Sequence, residues 1–133
     1  MKKIELIDIP NFSDSRGKIS ILETGSSLPF KPERIFFIYK VPDDQIRGEH
    51  ANINTKFILI AIHGSITIEA DDGNNKQTFI LNSPNQGLFL DSGTWKVMKN
   101  FKDDAVLIAI ANTKYDKNEY ITDYSKFKKR YKS

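Results

Sequence analysis

The chain has 133 residues, of which 20 are basic and 17 acidic, giving a formal charge of +3, and it contains no cysteine. That length suits one domain, 1–133, with a core of its own, and the missing cysteines exclude disulfides, zinc–thiolate and iron–sulfur sites and thiol nucleophiles. The charge excess gathers in Lys126, Lys128, Lys129, Arg130 and Lys132. It reads as a solvated tail, so no nucleic-acid partner is expected.

Taken in chain order, short apolar segments alternate with turn signals, the pattern of an all-β domain. The start, Met1-Lys2-Lys3-Ile4-Glu5, has no apolar run behind it, and no later run approaches membrane-spanning length. A cytoplasmic, membrane-free protein is expected. Lys3–Ile9 predicts a first strand ended by Pro10, and Ser13–Gly17 a turn before a strand at Lys18–Glu23. Gly25–Pro32 is loop, Glu33–Val41 a strand, Pro42–Asp44 a turn and Ile46–Asn52 a short or irregular strand. Lys56–Ile62 is the strongest strand, with His63-Gly64 read as its turn. Ser65–Ala70 and Gln77–Leu81 flank a hairpin-type turn at Asp71–Asn75. After the loop Asn82–Gly87, Leu88–Leu90 and Trp95–Met98 flank Asp91–Thr94, and Ala105–Ala111 reads as a central strand. Asn118–Lys132 predicts an amphipathic helix, with Tyr120, Tyr124, Phe127 and Tyr131 on one face and Tyr124 and Phe127 buried. About ten strands with frequent turns predict a sandwich or jelly-roll barrel.

The most informative stretch is Arg47-Gly48-Glu49-His50-Ala51-Asn52, followed by Phe57 and Gly64. Its spacing is that of a cupin metal-binding motif with most ligands missing. With Asp14-Ser15-Arg16-Gly17, Pro29-Phe30, Arg34–Tyr39, Asp71-Asp72-Gly73, Trp95 and the closing Tyr115–Phe127, it resembles the cupin superfamily over nearly the whole chain. Within that superfamily it resembles the sugar 3,4-ketoisomerases acting on dTDP-4-keto-6-deoxyglucose, the WxcM-like family. The resemblance implies a cupin jelly-roll β-barrel with a short C-terminal helix. It implies a homodimer, often formed by exchange of N-terminal strands, a nucleotide-linked sugar as ligand, and neither metal nor other cofactor.

The departures from the family pattern fall where the chemistry belongs. The second histidine of arginine-glycine-x-histidine-alanine-histidine is Asn52, and an expected glutamine is Phe57. The tryptophan–histidine pair is Trp95-Lys96, and a tyrosine pair is Phe36-Phe37. His50 is the catalytic candidate, since an imidazole with a pKa near 6.5 exchanges protons at neutrality. Moving a ketone between adjacent carbons needs a base for the carbon-bound proton and a donor for the developing oxyanion, a part given to Lys96 or Arg47. Asn52 hydrogen-bonds without titrating. Arg16, Arg34 and Arg47 offer forks to a pyrophosphate, with Arg16 reaching it across a dimer. Trp95 and Phe37 either stack on a base or pack the barrel wall. His63 reads as a turn residue, and Asp71-Asp72-Gly73 as a turn and not a metal or phosphate loop. Three readings stay open: a 3,4-ketoisomerase-family enzyme, with a changed substrate or outcome included; a nucleotide-sugar-binding or structural cupin without turnover; and a sugar epimerase.

Overall fold

The computed structural model describes residues 2–133. Ten strands run in chain order: β1 (Ile4–Asp8), β2 (Asn11–Asp14), β3 (Gly17–Ser20), β4 (Arg34–Tyr39), β5 (Arg47–Asn52), β6 (Phe57–Asp71), β7 (Lys76–Leu81), β8 (Gln86–Leu90), β9 (Trp95–Ala111) and β10 (Tyr120–Ile121). A 3-10 turn at Lys117–Glu119 precedes β10, and one helix, α1 (Tyr124–Tyr131), follows it.

β6 and β9 pair antiparallel along their whole length and carry everything else. The first half of β6 takes β8 and then β1 beside it, while the second half of β9 takes β4. This makes one layer. The second half of β6 takes β7, and the first half of β9 takes β5 and then β10, which makes the other. Between the halves the register slips three times, from Ala61 to Thr67. Opposite those slips Asn100, Asp103 and Asp104 adopt positive φ. Bulges of this kind bend a strand and increase its twist, so the two layers fold face to face. The inward set changes parity at the bend: Phe57, Leu59 and Ala61 before it, Ile66, Ile68 and Ala70 after it, all in one buried cluster with Leu81, Leu88, Met98, Leu107 and Ala109. The result is a jelly-roll sandwich of β strands with a single short helix. Hydrogen bonding does not close it, since β1 and β10 end the strand order unpaired to each other.

Two smaller clusters cover the outer faces. Ile9, Leu28, Ile58, Ile60, Phe89 and Ile110 lie under the segment around Leu22–Phe30. Ala51, Trp95 and Phe127 lie under α1.

The sequence reading needs four corrections. His63-Gly64 does not turn the chain; it sits inside β6 at the bend, where Gly64 takes φ +71 and a Cβ would lie 2.7 Å from the Cα of Ala105. Trp95–Met98 and Ala105–Ala111 are the two halves of one strand, β9. The helix begins at Tyr124 and not Asn118, because Asp123 caps it by accepting from the N–H groups of Ser125 and Lys126. Tyr120 is therefore on a strand, and Tyr124, at 40% exposure, is only partly covered while Phe127 is fully buried. Near the N-terminus the chain makes an exposed β2–β3 hairpin, and its second strand ends at Ser20 instead of Glu23.

Candidate active site

Strand alternation decides which side chains enter the space between the layers. On β9, Trp95 and Val97 point out to α1, and Lys96 and Met98 point in. On β5, Ala51 points out, and His50 and Asn52 point in. The register sets His50 opposite Lys96, with a bulge between Gly48 and His50. Gly48 makes the bulge possible: it takes φ +87, and a Cβ there would lie 2.7 Å from the Lys96 carbonyl oxygen. On β4, Phe36 and Ile38 point in.

These strands enclose a cavity of about 230 Å³ lined by Phe36, Arg47, His50, Phe57, Lys96 and Tyr120, with Ile38, Leu59, Met98 and Ala109 completing its apolar wall. The His50 ring stands 4.9 Å, centroid to centroid, from Tyr120, and its Nδ1 shares a 3.0 Å hydrogen bond with the Gly48 carbonyl oxygen. That bond requires Nδ1 to carry the proton in neutral His50, leaving Nε2 with the free lone pair. Lys96 Nζ donates to Asn52 Oδ1 at 2.9 Å and lies 4.4 Å from the Phe57 ring centre.

The site is rich in buried cations. Burial drives the Lys96 ammonium down to about 7; the Glu119 carboxylate opposes that shift and the Arg34 guanidinium adds to it. Burial, and then the Lys96 charge, holds His50 down at about 4, against the pull of the Gly48 carbonyl. His50 is thus neutral at pH 7. Arg34 lies over the rings of Phe36 and Tyr115, at 5.6 and 5.7 Å, with its Nε and Nη2 buried and unpartnered. Asn52 Nδ2 is likewise buried without a partner. Orphaned donors of this kind are costly unless something arrives to accept from them.

Of the residues singled out in the sequence, the fold brings together His50, Asn52, Lys96 and Arg47, with Arg34 close enough to act on Lys96. It separates three others. Trp95 packs edge-on against Tyr124 at 5.2 Å and tilted against Phe127 at 5.6 Å, on the helix side of the layer. Phe37 is 58% exposed on the outer face of β4, and it is Phe36 that lines the cavity. Arg16 stands on the β2–β3 hairpin, paired with Asp14 at 2.7 Å and 88% exposed, and does not line the cavity. Among the described residues, no group of three or more His, Cys, Asp or Glu side chains converges to hold a metal ion. No helix there is long and apolar enough to cross a membrane.

The sequence reading missed Tyr120 and Glu119. Glu119 is buried, accepts from the Asn54 N–H at 2.7 Å and from the Thr55 hydroxyl, and so fixes the turn that delivers Tyr120 to His50. The capping signal Thr122-Asp123 was the available clue, since a helix starting there leaves Tyr120 outside it.

Comparison with known proteins now adds to this geometry. The profile of the family described as WxcM-like, C-terminal matches residues 2–132. A TDP-4-oxo-6-deoxy-alpha-D-glucose-3,4-oxoisomerase of Aneurinibacillus thermoaerophilus is 33% identical over 125 residues, covering 94% of this chain and 90% of that protein. The X-ray structure of a TDP-fucose-3,4-ketoisomerase from Campylobacter jejuni superimposes with a TM-score of 0.91 at 40% identity, covering 96% of this chain and 95% of that one. A sugar 3,4-ketoisomerase from Thermoanaerobacterium thermosaccharolyticum, crystallised with TDP, gives 0.93 at 28% identity, covering 96% and 93%. With a profile matched almost end to end and relatives above 30% identity along nearly their whole length, the chain belongs to the WxcM-like, C-terminal family.

Proposed function

We propose that the protein is a TDP-sugar 3,4-ketoisomerase acting on a TDP-4-keto-6-deoxyhexose. The observation that carries this reading is the cavity itself: His50 and Tyr120 with ring centres 4.9 Å apart, and a buried lysine opposite His50 on the neighbouring strand. Moving a ketone from C4 to C3 requires a proton to leave C3 and one to reach C4, with charge developing on the sugar oxygens between. Neutral His50 has its free lone pair at Nε2 for the carbon-bound proton. Tyr120 sits beside it as a hydroxyl donor, and Lys96, Arg34 and the free Asn52 Nδ2 supply positive potential for the enediolate. A bound nucleoside diphosphate brings negative charge that offsets the buried cations, and Arg47 and Arg34 are its nearest forks.

The partner is a second copy of the chain. On β4, Ile35, Phe37 and Tyr39 leave 56–59% of their surface exposed in one row, and Phe12 and Ile19 on the hairpin are 65% and 64% exposed. A homodimer covering these apolar rows explains why they carry no charge. It also gives Arg16 a route to a neighbour's ligand.

Proton NMR of the protein with TDP-4-keto-6-deoxyglucose tests the reading: a 3-keto product is expected, with TDP alone binding by calorimetry. One observation favours a second reading. Phe36, Phe57, Leu59 and Met98 give the cavity a wall with few hydrogen-bonding groups, which suits a nucleotide-sugar-binding protein without turnover. Tight TDP binding with no product would select it.

A further inference from the structure

We propose that Lys96 is the second proton carrier of the isomerisation, its amine moving a proton between the two neighbouring sugar oxygens while His50 moves the carbon-bound one. The assignment rests on the isomerase reading above and deepens it. His50 and Lys96 are register partners on β5 and β9 and line the same cavity. Asn52 Oδ1 takes one Nζ hydrogen at 2.9 Å, and the Phe57 ring, 4.4 Å away, covers the ammonium without accepting a conventional hydrogen bond. Lys96 is 2% exposed and makes no ion pair among the described residues. A lysine built only to hold charge would be expected to have a carboxylate against it.

The groups facing Lys96 are His50 and Arg47 from β5, Tyr120 from β10, Arg34 from β4 and Glu119 from the turn before β10. Burial outweighs Glu119, and with Arg34 it brings Lys96 to about 7, so both protonation forms are present at neutrality. An ordinary lysine does not release its proton there; a desolvated one does. Lys96 then titrates where a histidine ordinarily would, in a site with a single histidine.

The protons balance with no other reactant. His50 takes the C3 proton, the C3–H electron pair becomes the C3=C4 bond, and the carbonyl pair moves onto O4, which takes a proton from the Lys96 ammonium. The Lys96 amine next removes the O3 proton. The O3–H pair forms the new C3 carbonyl, and the double-bond pair takes the proton of His50 at C4. Both side chains finish as they began.

The test is Lys96→Arg with TDP-4-keto-6-deoxyglucose in deuterated buffer at neutral pH, read by mass and proton NMR beside wild type. Arginine keeps the charge but does not release a proton. The expected result is deuterium entering at C3 of recovered substrate within about tenfold of the wild-type rate, with the 3-keto product reduced by about 100-fold or more. Product formed by Lys96→Arg within about fivefold of wild type would overturn the assignment while leaving the isomerase reading intact, and would reduce Lys96 to a fixed charge. Loss of both exchange and product, with TDP binding intact, would also refute this division of labour. A wild-type protein that neither exchanges nor forms product overturns the isomerase reading and this one with it. If Lys96→Arg fails to fold or to bind TDP, wild-type protein labelled with carbon-13 at lysine Cε decides alone. One lysine resonance titrating close to neutrality, below the Lys2 resonance at about 8, supports the assignment, and the absence of any lysine resonance titrating below that of Lys2 overturns it.

Discussion

Replacing Lys96 with methionine should change how stability depends on pH, and the structure gives the size. Lys96 falls from 10.5 in the unfolded chain to about 7 in the fold, chiefly through burial. Between those values the unfolded chain holds a proton that the folded chain has shed, so stability rises with pH. The contribution is complete above 10.5 and is lost as pH falls toward 7. One proton is worth at most about 1.36 kcal/mol per pH unit, so raising pH from about 8 to about 9.5 should add about 2 kcal/mol through this residue. Lys96→Met preserves length and burial without a titrating group. Asn52 Oδ1 loses its donor in the variant, a cost that stays nearly constant with pH and drops out of the slope. Other lysines and tyrosines titrate in both proteins; Lys2, lowered to about 8 by burial, is one of them. The quantity to measure is the difference between wild type and Lys96→Met in urea unfolding free energy at a series of pH values. A difference that stays flat within about 0.5 kcal/mol would mean that Lys96 remains fully charged in the fold, and the reasoning from burial would be wrong.

Phe127→Ala should cost about 3–5 kcal/mol in the same unfolding assay, because Phe127 is fully buried between Trp95, Ala51 and Tyr131 and its loss undocks α1; a cost below about 1 kcal/mol would deny that docking. Gly48→Ala should destabilise the chain by more than about 1 kcal/mol, since φ +87 and a Cβ 2.7 Å from the Lys96 carbonyl oxygen force β5 away from β9. It should also reduce turnover by displacing His50, and wild-type stability and activity in this variant would contradict the bulge geometry.

Much of the fold was legible because period-2 patterns and turn residues are local. All of Ser65–Ala70 and Gln77–Leu81 lies on strands, and so does Lys56–Ile62 from Phe57 onward. What was not legible depends on pairing across distance. His63-Gly64 carries a turn signal, yet β9 runs beside it and converts the turn into a bulge. Asn118–Lys132 carries aromatic residues at helical spacing, but Tyr120 pairs with Asn52 and its strand is held by the buried Glu119. Period 2 already implied that Trp95 and Lys96 face opposite ways, as do Phe36 and Phe37, but it did not say which member faces the cavity. The core neighbours of Met98 and the docking of α1 on Trp95 settle that, and both are tertiary.

In the proposed isomerisation His50 takes a proton from the sugar carbon beside the ketone. Incubating the protein with TDP-4-keto-6-deoxyglucose in deuterated water measures that event directly, even when net product is scarce. Wild type should place solvent deuterium at C3 of recovered substrate and at C4 of the product, while His50→Ala should bind TDP and place none. Exchange by His50→Ala at the wild-type rate would exclude His50 as that base.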